Sequence, residues 1–353
     1  MTDLPDVQPS FVPQPHEVTW PTIEWPRGAS AHQEALEKVV DEMFTVEDLG
    51  ITNAVVIIQG GRVLVERYGG EQFYFDRPAE PITAASQLLS WSMAKSILHA
   101  IVGTLVDAGQ LDPDQLAPVP EWSDPGDPRH QIEVRDLLAM RDGLAFIEQY
   151  EIGQTSHVIE MLYGEGKEDM AAFTAQLPLA HDPGTFYNYS SGTTNILSRI
   201  VADHVGYGDD YHEALRSRLF DPIGMTSAVA ELDGSGVFVA SSFVYANVLD
   251  FAKFGLLYLR GGQWDGHQLI SREWAATAQV PLSVEAESGH FYSWQWWVSG
   301  DQYGTYWANG YEGQMISVVP ALDALILRFG HTPEERSPQR MAWRNRVLDV
   351  LAK

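Results

Sequence analysis

The chain has 353 residues, 22 of them Lys or Arg and 48 Asp or Glu, for a formal charge of −26. That length buries a sizeable core in one large or two closely packed domains, and 45% hydrophobic with 20% charged residues is a globular composition, not a disordered one. The charge argues against nucleic acid and anionic membrane surfaces as partners, and the lack of cysteine excludes disulfides, thiolate nucleophiles and cysteine zinc sites.

The opening residues, MTDLPDVQPSFVPQPHEV, have neither a basic nor an apolar leader region, and the apolar runs are too short to span a bilayer. A soluble, cytoplasmic protein is therefore expected. Residues 1–30 read as a Pro-rich extended arm holding Trp20 and Trp25. Helical apolar spacing covers 31–45. Two β-rich runs, 53–59 and 62–67, flank Gly60-Gly61 and predict a tight hairpin. A long helix is expected over 92–108, stopped by Gly109. Shorter helices follow at 134–140, 158–161, 170–176, 194–205 and 211–219, then another at 249–259 before Gly261-Gly262. The last third turns β-rich at 292–298, 315–319 and 324–329, and a helix over 338–351 closes the chain.

Strands at both ends with helices between them predict one sheet built from the two termini, with a helical lobe inserted in the middle. The organisation expected is an arm at 1–30, a discontinuous α/β domain at 31–109 and 225–353, and a helical domain at 110–224.

The chain has no G-x-S-x-G elbow, H-E-x-x-H pair or P-loop, and its glycine clusters do not fit the dinucleotide fingerprint. The 11 histidines lack metal-ligand spacing, so no metal or cofactor is expected. The five lysines say more. Lys38, Lys167, Lys253 and Lys353 sit where an ammonium can stay solvated. Lys95, in SMAKSILHAIVGTLV, falls on the first turn of the most apolar helix, where desolvation favours loss of its proton. Ser92 stands three residues earlier on the same helical face, and a hydroxyl beside a desolvated amine can be activated as a nucleophile. The plainer reading keeps Ser92 as an N-cap and lets Lys95 snorkel to solvent, and S-x-x-K arises by chance about once in a chain this long.

Two further segments matter. In HDPGTFYNYSSGTTNILSRIV, Tyr189, Ser190, Ser191 and Gly192 can turn a phenol and a hydroxyl into a cleft, or merely cap the following helix, while Tyr187 reads as core packing. In ANGYEGQMISVVP, Gly310 and Gly313 open a β-run that lets backbone approach closely and offer an oxyanion donor, or simply make a turn.

Together these segments resemble the serine β-lactamase and penicillin-binding-protein superfamily, class C-like, and most of all its 6-aminohexanoate-dimer hydrolase and esterase branch. SWSMAKSILHAIVGTLVDAGQL, IEVRDLLAMRDGL, PGTFYNYSSGTTNILSRIV, SSFVYANVLDFAKFGLLYLRGGQWDG and GYEGQMISVVP follow the family's order over about 50–330. The resemblance implies an α/β (α+β) fold with an antiparallel sheet flanked by helices and an inserted helical lobe. It implies Ser92 as nucleophile, Lys95 as the lysine sharing its proton, and Tyr189 as the proton shuttle. Ser191 takes the third place of the Y-x-N/S element. Ala308-Asn309-Gly310 occupies the place of K-T-G, with Asn309 and Gly310 beside the substrate and the backbone N–H of Tyr311 joining that of Ser92 as the oxyanion hole.

Two departures stand out. Ala308 cannot hold a substrate carboxylate as a cationic residue would, which lowers β-lactam or peptidoglycan chemistry to a minor reading. Asp142 stands where a small hydroxyl residue is common. The implied activity is hydrolysis of a small amide or ester through an acyl-serine, with acyl transfer on the same scaffold as the alternative and a non-catalytic binding module as a further rival. A homodimer is compatible with the resemblance. Trp294, Trp296, Trp297 and the loop around Tyr150 are candidates for a cleft wall, although Trp294 and Trp296 equally suit a sheet core facing the terminal helix.

Overall fold

The computed structural model describes residues 4–73, 76–150, 153, 155–286 and 288–353; the first three residues of the expected arm lie outside these. In chain order the principal elements are α1 (Gln33–Thr45), β1 (Ile51–Gln59), β2 (Arg62–Tyr68), α2 (Ala94–Asp107), α3 (Val134–Leu138), α4 (His157–Tyr163), α5 (Met170–Ala175), α6 (Ser191–Val205), α7 (Asp209–Leu215), α8 (Val248–Leu259) and α9 (Arg272–Thr277). There follow β3 (Ser283–Val284), β4 (Phe291–Tyr292), β5 (Trp297–Val298), β6 (Tyr306–Gly310), β7 (Gln314–Val319), β8 (Ala324–His331) and α10 (Ser337–Leu351).

Among the described residues the main sheet has the order β3-β4-β5-β6-β7-β8-β1-β2, with antiparallel neighbours throughout. The N-terminal hairpin thus docks on the C-terminal strands through the β1–β8 ladder. Helices and antiparallel sheet are combined as expected. β1 is apolar without a break from Ala54 to Ile58 because both its faces are covered there. Ala54, Val56 and Ile58 enter the core shared with α2 and α8, whereas Val55 and Ile57 enter a second core under α1 and α10. β8 repeats this division, with Leu325 and Leu327 on one side and Ala324 and Ile326 on the other. Among the described residues, no helix is long and apolar enough to cross a membrane.

The arm is anchored rather than loose: Trp25 is buried and Trp20 packs on Trp264 at 5.1 Å. One expected strand is not continuous. Residues 292–298 fold back on themselves, pairing Phe291 with Val298 and Tyr292 with Trp297. Gln295 takes a positive φ of 57° at this bend. Its amide nitrogen donates to the carbonyls of Leu137 and Leu138, and its amide oxygen accepts from Thr194. These long-range bonds hold a turn that has no local Gly or Asn signal. The bend also redirects the tryptophans: Trp296 packs on Phe254 and Tyr258 of α8, and Trp294 on Trp274, so neither faces the terminal helix.

Candidate active site

Ser92 lies in a 3-10 turn, Trp91–Met93, that leads directly into α2. Trp91, just before it, has φ 45°, a left-handed conformation costing a bulky side chain roughly 1–3 kcal/mol. The turn holds because Ser90 is fully buried and bonded on both sides: its N–H reaches the Val244 carbonyl (2.8 Å) and its hydroxyl the Ser242 carbonyl (3.1 Å). Lys95 is the second residue of α2, and 1% of its surface is exposed. Its Nζ donates to Ser92 Oγ (3.0 Å), Ser191 Oγ (3.1 Å) and the Ser241 carbonyl (3.0 Å). No carboxylate pairs with it among the described residues. Burial therefore pulls its pKa down to about 8, against an opposing pull from Glu148.

The Nζ of Lys95 also lies 4.8 Å from the ring centre of half-buried Tyr189. The Tyr189 phenol is held well above its ordinary pKa by burial and by the Glu148 charge, with a hydrogen bond to Ser92 acting the other way. It stays protonated at any ordinary pH. Ser190 caps α6, accepting from the Thr193 N–H (2.9 Å), so that helix begins at Ser191, three residues earlier than the spacing suggested. The early start carries Ser191 to Lys95.

Glu148 is the residue that sequence reasoning missed. Its carboxylate accepts from Ser191 N (2.8 Å), Ser191 Oγ (2.6 Å) and Tyr150 OH (2.7 Å). A continuous chain thus runs Glu148–Ser191–Lys95–Ser92. Nothing local marks Glu148: it stands in a loop 43 positions from Ser191, and only the tertiary fold brings it in.

β6 closes the other side. Gly310 lies so close to the nucleophile turn that a Cβ there would sit 2.4 Å from the Ser90 carbonyl oxygen. Glycine is required by this close approach. Tyr311 follows at the cleft mouth, its ring 5.5 Å from Trp91 and 4.7 Å from Tyr150. Of the loop expected as a cleft wall, Tyr150 stands beside Tyr311 with its hydroxyl on Glu148, and residues 151, 152 and 154 lie outside the described residues. Strand alternation places buried Ala308 with Gly310 on the α2 side and turns Asn309 to the opposite face, in register with Met315. The structure therefore gathers Ser92, Lys95, Tyr189, Ser191, Gly310 and Tyr311, and leaves the Asn309 side chain behind the sheet. Lys253, expected to be solvated, is instead buried on α8 and paired with Asp250 at 2.9 Å.

Known proteins share this fold. A curated relative, the 6-aminohexanoate-dimer hydrolase of Paenarthrobacter ureafaciens, is 27% identical over 319 residues, 85% of this chain and 77% of its own. A Bacillus anthracis structure provisionally named a 6-aminohexanoate-dimer hydrolase superposes with TM-score 0.74 at 18% identity, covering 97% of this chain and 89% of its own. The D-amino acid amidase of Ochrobactrum anthropi SV3, complexed with L-phenylalanine amide, gives TM-score 0.66 at 17% identity over 92% and 99% of the two chains. The sequence family described as Beta-lactamase matches residues 46–350, and with that match spanning most of its length this chain belongs to the beta-lactamase family of serine hydrolases.

Proposed function

We propose that the protein hydrolyses a small amide or ester by transient acylation of Ser92. The observation that carries this reading is the buried Lys95 amine, unpaired with any carboxylate among the described residues and 3.0 Å from Ser92 Oγ. Once neutral, Lys95 accepts the Ser92 proton while still donating to Ser191 and the Ser241 carbonyl. Ser92 attacks the substrate carbonyl, and the oxyanion develops against the backbone N–H groups of Ser92 and Tyr311, each worth roughly 3 kcal/mol. Tyr189, kept protonated, acts as a proton carrier rather than a base: it gives its proton to the leaving group as it takes one back from the Lys95 ammonium, which returns both groups to their starting forms. Water then enters by the reverse path and releases the acid.

The names of the relatives, an amide-dimer hydrolase and an amino acid amidase, favour amides. Buried Ala308 offers no cation to a substrate carboxylate, which favours substrates without one beside the scissile bond. The test is p-nitrophenyl butyrate hydrolysis by wild type and Ser92→Ala, with mass spectrometry of the quenched wild-type enzyme. Loss of turnover to the buffer rate and an acyl adduct on the Ser92 peptide are expected, and equal rates would refute the proposal. Tyr189→Phe extends the test: protonating a leaving amine is obligatory, so amide turnover should fall far more than turnover of the activated ester. Equal losses would mark an esterase.

A further inference from the structure

In a chain with 48 acidic residues, buried cations are readily matched. Lys253 pairs with Asp250, Arg260 with Asp323, and half-buried Arg199 with Glu121 at 2.7 Å. Three arginines break this pattern. Arg328 on β8 and Arg340 and Arg344 on α10 are 0%, 4% and 2% exposed, and none forms an ion pair among the described residues.

All three occupy one polar layer between the back of the sheet and α10. The register sets Asn309, Met315 and Arg328 in a row across β6, β7 and β8, with Trp307 and Ser317 beside it. Arg344 lies over the Trp307 ring at 4.9 Å, and a Cβ on Gly313 would fall 2.7 Å from Arg340 Nε and 3.1 Å from Arg328 NH1. Arg328 spends its terminal nitrogens on the carbonyls of Glu312 (3.0 Å) and Ile51 (2.8 Å). Among the described residues, Arg340 reaches only Ser337 Oγ and the Met315 sulfur, and Arg344 only Ser299 Oγ at 3.4 Å. Among the described residues, Arg328 Nε, Arg340 Nε, and Arg344 Nε and NH1 are left buried without a partner, together with the Ser317 hydroxyl, the Asn309 amide oxygen and one Asp301 carboxylate oxygen.

The surrounding charges do not settle this balance. Asp301 acts on Arg344, Glu334 on Arg340 and Glu312 on Arg328, each from outside ion-pair distance, while Arg340 repels both of its neighbours. His290, edge-on to Trp307, feels Arg340 and Arg344 as neighbouring positive charges. A buried guanidinium with unmet N–H donors is costly unless an anion or a hydrogen-bond acceptor meets it.

We propose that this layer is a binding site for a compact inorganic anion, chloride or phosphate, held by Arg340 and Arg344 from α10 and by Ser317 and Asn309 from the sheet. The Ser317 hydroxyl is free to rotate and the Asn309 amide to flip, so both can present donors to it. Arg328 supplies the third positive charge behind them. Asn309 immediately precedes Gly310 and Tyr311, so the anion braces the strand that borders the cleft from the face opposite Ser92. The inference is independent of the chemistry proposed for Ser92.

The test uses the whole protein exchanged into a buffer whose anion is a bulky organic sulfonate. Sodium chloride, sodium phosphate and the sodium sulfonate are then titrated at matched ionic strength while thermal unfolding is followed. Chloride or phosphate should raise Tm saturably, the sulfonate should not, and calorimetric titration of the wild type with the active anion should show saturable binding. Arg344→Gln should raise the concentration needed by about tenfold or more, since a charged hydrogen-bond donor is lost. Should that variant fail to fold, Arg344→Lys keeps the charge but loses the fork, and the same shift is expected. Superimposed titrations with no calorimetric binding would overturn the site, leaving water as the partner of these groups. Saturable binding that neither variant alters would place the anion elsewhere and equally overturn the assignment.

Discussion

Replacing Glu148 by Gln should lower the pH at which the enzyme switches on. In the proposed mechanism the active form carries neutral Lys95, which titrates near pH 8. Wild-type kcat/KM for a neutral ester should therefore rise about tenfold per pH unit below that value and level off above it, with about a tenth of the limiting rate at pH 7. Glu148 and Lys95 are bridged by the Ser191 hydroxyl through bonds of 2.6 and 3.1 Å. A unit charge at ~6 Å and an effective dielectric near 20 is worth ~3 kcal/mol. Solvent at the cleft mouth, where Tyr150 is exposed, reduces this to about one pH unit. The sign follows from the charge: a carboxylate stabilises the ammonium, so removing it moves the midpoint down, toward pH 7. Glutamine keeps an acceptor for Ser191, so the geometry survives. The assay is a pH series of kcat/KM from 5.5 to 10 with p-nitrophenyl butyrate. A midpoint that stays in place or rises would refute the electrostatic link between Glu148 and Lys95.

Two other substitutions probe the frame around the site. Gly310→Ala forces a methyl against the Ser90 carbonyl, so stability should drop by about 1–3 kcal/mol and ester turnover should fall more steeply than folding alone explains; denaturant unfolding with kcat/KM on the folded protein separates the two, and an unchanged rate would mean that β6 and the nucleophile turn are not coupled. Asp142 is fully enclosed, accepts from Thr193 and from Leu144 N (2.8 Å), and burial raises its pKa to about 6. Because that pKa lies above the unfolded value near 3.8, the protein keeps this contribution at pH 4 and loses it as pH rises through 6. Asp142→Asn should therefore gain Tm relative to wild type at pH 7.5 but not at pH 4, and a Tm difference independent of pH would contradict the assignment.

Much of this protein was legible from local pattern. The apolar run of β1, the Gly60-Gly61 turn and the helical phase of α2 are properties of neighbouring residues, and so is the placement of Ser92 and Lys95 one helical turn apart. Tyr189 and Gly310 were recognisable from the motifs around them. What the tertiary structure alone decided are contacts between residues distant in sequence. Glu148 reaches Ser191 from an irregular loop; Gln295 bends one expected strand into two by bonding α3 and α6; Lys253 finds Asp250 and the Gly224 carbonyl where solvent was expected. Arg328, Arg340 and Arg344 meet only because α10 packs behind β6–β8. Periodicity encodes which face of an element is buried. It does not encode which polar group waits on the other side, since that depends on how separately formed elements dock, and a buried charge is stabilised or stranded by that docking alone.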